Sequence, residues 1–122
     1  MIYLTNAFSI TMLDTRVDRF HTWVPMGIKR INVGTVRKIL DRNPNFKSVY
    51  GHHSTVPFLE TILGRHISAN RISIQAKPGD EVIVAVVRNL KSFKERRVQP
   101  YFDFYQIRFF LTKEECENDH RA

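Results

Sequence analysis

The stretch "NRISIQAKPGDEVIVAVV", residues 70–87, decides how this chain is read. Its second half, "EVIVAVV", is after Glu81 an unbroken apolar run, β-branched except for Ala85, the composition of a buried strand. Its first half alternates Ile72, Ile74 and Ala76 with polar residues, and Pro78-Gly79 between the halves is a turn signal. The pattern predicts a β-hairpin with arms at 70–76 and 81–87. A sheet thus lies in the middle of the chain, and the remaining segments are placed around it.

On the N-terminal side, "STVPFLETILG" (54–64) reads as a helix. Ser54 is its expected cap, Pro57 falls in the first turn, and Gly64 stops it. Val56, Leu59, Ile62 and Leu63 make one apolar stripe. Earlier, "INVGTVRKIL" places Val33, Val36, Ile39 and Leu40 at helical spacing, with Asn32 as cap and Pro44 as terminator. "FKSVY" (46–50) leads into the turn "GHHST" (51–55). "IYL" (2–4) is a short buried strand, and "TNAFSITML" turns into a short helix capped by Ser9. "RVDRFHTWV" (16–24) is read as a strand, "KSFKERR" (91–97) as a loop or short helix, and "FYQIRFFL" (104–111) as the last strand. Strands early, middle and late with helices between them predict an α/β (α+β) fold: a single mixed β-sheet flanked by helices. The expected organisation is one domain over residues 1–112 and a polar tail over 113–122.

The chain has 122 residues and 19 Lys+Arg against 12 Asp+Glu, a net charge of +7. That field favours polyanionic partners, and binding to DNA or RNA is one reading of it. The one cysteine, Cys116, excludes an internal disulfide and a thiolate metal cluster, and predicts a reducing, cytoplasmic location. No apolar run is long enough to span a membrane, so no membrane partner is expected. The five histidines form no HExxH or HxH pattern, and His52 and His53 are adjacent, so no metal site and no cofactor are expected. Glycine-rich phosphate loops and a GxSxG nucleophile motif are absent. What remains is a histidine turn before a helix N-terminus in a basic protein. Helix N–H groups can hold phosphate oxygens, and an imidazole can move a proton near neutral pH. On RNA the ribose 2′-OH is itself a nucleophile, so no metal is required.

Two segments carry a resemblance. Leu4, Asn6, Ala7, Phe8, Ser9, Ile10, Met12 and Leu13 match a Leu-x-Asn-Ala-Phe-Ser-Ile-x-Met-Leu pattern, and Gly51, His52, Ser54 and Thr55 match Gly-His-x-Ser-Thr. Gly64, then Asn70-Arg71, and the aromatic strand "FYQIRFF" follow in order. On these residues the chain resembles the ring-nuclease family carried by archaeal viruses, phages and some cellular defence loci, over roughly residues 2–111. The resemblance implies a homodimer that binds cyclic tetra-adenylate, the second messenger of type III CRISPR defence, across its two-fold interface. It implies metal-independent cleavage to linear products ending in 2′,3′-cyclic phosphate, and for viral members an anti-CRISPR role in the host cytoplasm. His52 is by resemblance the general acid. Asn6, Ser9, Gly51, Ser54 and Arg71 are the implied substrate-binding residues, and Arg88 the implied transition-state cation.

The sequence departs from the family at this last position. The family strand carries Gln and then Arg-Leu followed by acidic residues, whereas here the segment is "AVVRNLKSFKERR". Asn89 occupies the place of the Arg, Arg88 is displaced by one residue, and Lys91-Ser92 replace the acidic pair. A one-residue offset on a strand turns a side chain to the other face. Arg96 and Arg97 are further candidate cations. The departure keeps open a non-catalytic protein that sequesters the nucleotide.

Overall fold

The computed structural model describes residues 1–13, 25–110, 114, 115 and 117. Its central element is the apolar run foreseen above, β4 (Glu81–Val87), in which Val82 to Ala85 are all buried. A strand covered on both faces needs hydrogen-bonding neighbours on both edges. On one edge lies β1 (Ile2–Thr5), parallel, with Tyr3 opposite Val82 and Thr5 opposite Val84. On the other lies β5 (Phe102–Phe109), antiparallel, with Ile83 opposite Gln106. Outside β1 runs the short parallel β3 (Lys47–Ser48), and outside β5 the antiparallel β2 (Met26–Ile31). The five-stranded order is β2-β5-β4-β1-β3. This is the single mixed α+β sheet expected from the sequence.

The hairpin reading is corrected. Its turn exists: Gly79 has φ 96°, and the Asp80 carboxylate accepts the Lys77 N–H at 3.1 Å. Its first arm does not pair with β4, because both edges of β4 are taken by β1 and β5. The Ala76 N–H instead donates to the Met12 carbonyl at 2.6 Å, and Leu13 bridges Ala76. Ala76 packs on the sheet face made by Val82, Val84, Ile107 and Phe109. Pro-Gly marks a reversal of the chain, but it does not fix which strand the returning arm meets.

Two helices cover the other face. α1 (Val33–Arg42) is capped by Asn32, whose side chain accepts the Thr35 N–H at 2.8 Å, and it stops at Asn43, before Pro44. α2 (Val56–Leu63) has Pro57 in its first turn and ends on Gly64 in the left-handed region, φ 67°. Val36, Leu40, Leu59 and Leu63 from these helices pack on Leu4, Ile83, Ala85 and Phe104 of the sheet. Burying each such aliphatic side chain is worth roughly 1.5–3 kcal/mol. Ser54 is not the cap of α2. It lies in a 3-10 turn (His53–Thr55) that runs directly into the helix, and Thr55 is the residue before it. Of residues 91–97, read as loop or short helix, all but Arg97 belong to α3 (Leu90–Arg96), whose Phe93 meets Phe58 of α2 edge-on at 5.7 Å.

β2 was not foreseen: "MGIKRI" is mostly exposed and carries Lys29 and Arg30, as an edge strand can. The strand read at 16–24 lies outside the described residues. Among those described, no helix is long and apolar enough to cross a membrane.

Three strands, β1, β3 and β4, are parallel, so their carboxyl ends emerge at one end of the sheet. Asn6 follows β1, Gly51-His52 follow β3 after two residues, and Arg88 followed by α3 leaves β4. In open sheets with parallel strands this end is where ligands bind, because helix N-termini and loops converge there.

Candidate functional site

The site is built around Gly51. The side-chain oxygen of Asn6 accepts the Gly51 N–H at 2.7 Å, and Arg71 Nε donates to the Gly51 carbonyl at 2.9 Å. Both backbone polar groups of this buried residue are therefore satisfied by side chains from two remote segments. A Cβ added at Gly51 would lie 3.1 Å from Arg71 Cγ and 3.4 Å from Asn6 Oδ1. The glycine is needed for the close approach of the Arg71 side chain.

His52 follows, half-buried. Its carbonyl accepts from the Thr55 hydroxyl at 3.0 Å and from the Thr55 N–H at 3.1 Å. Thr55 Oγ1 lies 2.6 Å from the buried Tyr50 hydroxyl. Since the threonine proton goes to the His52 carbonyl, Tyr50 donates to Thr55. Burial raises the Tyr50 pKa, which keeps that proton in place. The Tyr50 ring also stands edge-on to the imidazole, 6.2 Å between centroids. The His52 carbonyl is thus held by Thr55, and its ring stands against that of Tyr50. Burial lowers the His52 pKa from its ordinary value, and the positive charges of Lys94 and then Arg71 lower it further. His53 is exposed on the 3-10 turn. The two adjacent histidines occupy different environments.

The structure brings Asn6, Gly51, His52 and Arg71 together. Ser9 caps a 3-10 turn (Ile10–Met12), its hydroxyl accepting the Thr11 N–H at 3.4 Å. Ser54 is exposed beside His53. Arg88 is placed elsewhere. Its Nε is 2.7 Å from Asp103, whose carboxylate also takes Arg30 at 2.7 Å and is 4% exposed. Asp103 stands opposite Val86, on the sheet face turned away from α1 and α2. The guanidinium expected to face a phosphate is therefore committed to a buried carboxylate. Asn89 is structural too: its side chain donates to the Gln99 carbonyl at 2.9 Å and accepts the Tyr101 N–H at 2.7 Å, closing the loop after α3.

Sequence reasoning missed Lys94. The available signal was helical spacing: Leu90, Phe93 and Lys94 are i, i+3 and i+4, hence on one side of α3. Among the described residues no group of three His, Cys, Asp or Glu is placed to hold a metal ion.

Comparison with known proteins gives the chain its relatives. No curated protein matches it. Among solved structures, B116 of Sulfolobus turreted icosahedral virus is similar, with a TM-score of 0.64 and 22% identity over 88% of this chain and 97% of that one. At that identity the likeness is one of fold. The family model described as STIV B116-like matches residues 2–111, most of the chain, and the protein belongs to the STIV B116-like family.

Proposed function

We propose that the protein is a metal-independent ring nuclease that opens cyclic tetra-adenylate and so damps type III CRISPR signalling. The observation that carries this reading is His52, held at the carboxyl ends of the parallel strands by the Asn6–Gly51–Arg71 hydrogen bonds and flanked by two cations. In the reaction a ribose 2′-OH attacks the adjacent phosphorus as it loses its proton to solvent. The P–O5′ bond breaks, and the protonated His52 imidazole gives its proton to the departing 5′-oxygen. The products are a 2′,3′-cyclic phosphate and a 5′-hydroxyl. A lowered pKa makes His52 a stronger acid, and the approach of an anionic phosphate favours its protonated form. Arg71, with Nε fixed on Gly51, has its remaining N–H donors to offer to phosphate. Asn6 and Gly51 set the turn, and Ser9 and Ser54 lie in the flanking 3-10 turns as candidate substrate contacts. A two-fold ring is best held by a two-fold pair of subunits, so the working unit is a homodimer. Its place of action is the cytoplasm of the cell that makes the messenger.

The pairing of Arg88 with Asp103 favours a second reading, a binder that sequesters the ring without cutting it. One experiment separates them. The purified protein is incubated with cyclic tetra-adenylate in EDTA. Linear products ending in 2′,3′-cyclic phosphate, lost in His52→Ala, support the nuclease. Tight binding with the ring recovered intact supports sequestration. Cutting by His52→Ala at the wild-type rate removes His52 from the mechanism.

A further inference from the structure

We infer that Lys94, a residue outside the motifs that mark this site, binds the phosphate at His52 and supplies the positive charge that Arg88, tied to Asp103, does not deliver there. The inference rests on the nuclease reading and deepens it. Metal-free cleavage of a phosphodiester leaves negative charge on the phosphorus oxygens, and fixed cations at that point are commonly the largest source of rate.

The cations around the turn are used unequally. Arg71 spends Nε on the Gly51 carbonyl. Arg88 and Arg30 share the buried Asp103 carboxylate on the sheet face away from the helices. Lys94 is exposed, and among the described residues it makes no hydrogen bond or ion pair.

The helix that carries it packs against α2. α3 leaves the carboxyl end of β4 and is pinned to α2 by the edge-on contact of Phe93 with Phe58. Phe58 lies in the first turn of α2, three residues after Thr55, so the Phe93–Phe58 contact sets α3 beside the helix start that follows the histidine turn. Asn89, the residue before α3, bonds Gln99 and Tyr101 and so closes the loop that carries the helix. The Lys94 charge is felt at the His52 imidazole, ahead of that of Arg71. An unpaired ammonium on a pinned helix beside a proton-transferring histidine fits an anionic phosphate.

The test uses wild type, Lys94→Ala, Lys94→Arg and, as a control at the opposite end of the sheet, Lys77→Ala. Single-turnover cleavage of cyclic tetra-adenylate in EDTA is followed together with binding of the 2′-O-methylated ring, which cannot be cut. Lys94→Ala is expected to slow cleavage by about tenfold or more while weakening binding by only about threefold, with Lys94→Arg restoring most of the rate and Lys77→Ala matching wild type. NMR titration should show the His52 midpoint rising in Lys94→Ala. If wild type cuts and Lys94→Ala cuts equally fast, or the His52 midpoint does not move, the assignment of Lys94 is wrong and the nuclease reading stands. If wild type leaves the ring intact, the nuclease reading fails and this inference fails with it.

Discussion

Replacing Asn6 by Ala removes one hydrogen-bond acceptor from a buried donor. The Gly51 N–H, bonded to Asn6 at 2.7 Å, has no other partner among the described residues. Gly51 is buried, with the Arg71 side chain packed against it. A buried amide left unsatisfied costs roughly 1–3 kcal/mol. For a domain of this size each kcal/mol corresponds to about 4 °C in Tm, so Asn6→Ala is expected to lower Tm by about 4–12 °C. Asn6→Asp separates the structural contribution from the functional one. A carboxylate accepts the same N–H and holds stability to within about 1 kcal/mol of wild type. It also sets a negative charge beside Arg71 and the histidine turn, which raises the His52 pKa and repels phosphate. Urea denaturation with linear extrapolation gives the stabilities, and titration of the 2′-O-methylated ring gives the binding. An Asn6→Ala protein within about 0.5 kcal/mol of wild type would refute the reasoning, since changes of that size are ordinary for surface sites. Equal destabilisation by Ala and Asp would refute it as well.

Other expectations follow from the same turn. Thr55→Val should destabilise more than Tyr50→Phe: the first leaves the buried Tyr50 hydroxyl and the His52 carbonyl short of partners, about 2–3 kcal/mol, whereas the second spares the bond from Thr55 to His52 and costs about 1 kcal/mol. Parallel urea melts of the two variants check the order. The lowered pKa of His52 gives a stability that depends on pH. Between the folded value and the ordinary 6.5 the unfolded chain binds more protons, so stability rises with pH across that window. The contribution is full above 6.5 and is lost as pH falls through the folded value. His52→Gln should flatten that part of a stability-against-pH curve. On the nuclease reading, kcat/KM for the ring should fall as pH rises through the His52 midpoint, since the acid must carry its proton; a profile that does not change in His52→Gln would count against it.

Much of the fold is legible locally. Asn32 and Pro44 bound α1, Pro57 and Gly64 bound α2, and the aromatic run read as a strand at 104–111 lies in β5 (Phe102–Phe109) as far as Phe109, because caps, turns and hydrophobic period act over a few residues. The segment 70–76 shows where this legibility ends. Its alternation and the Pro78-Gly79 turn are those of a hairpin arm, yet β4 already has both edges occupied, and occupancy of an edge depends on residues 2–5 and 102–109. Ser54 shows the same on a smaller scale: a good capping residue gave way to a 3-10 turn because Thr55 is drawn inward by Tyr50 and the His52 carbonyl.

By itself the sequence determined which residues are candidates: the motifs around Asn6 and Gly51-His52, and the apolar runs that must be buried. Only the tertiary structure decided which of them meet. It joined Asn6, Gly51 and Arg71 into one hydrogen-bonded unit across 20 and 45 residues of chain. It sent Arg88 to Asp103 and set α3 against α2 through Phe93 and Phe58. A guanidinium's partner is set by where the nearest buried carboxylate lies in space. In this protein that carboxylate is on a strand that follows Arg88 only after a helix and a loop.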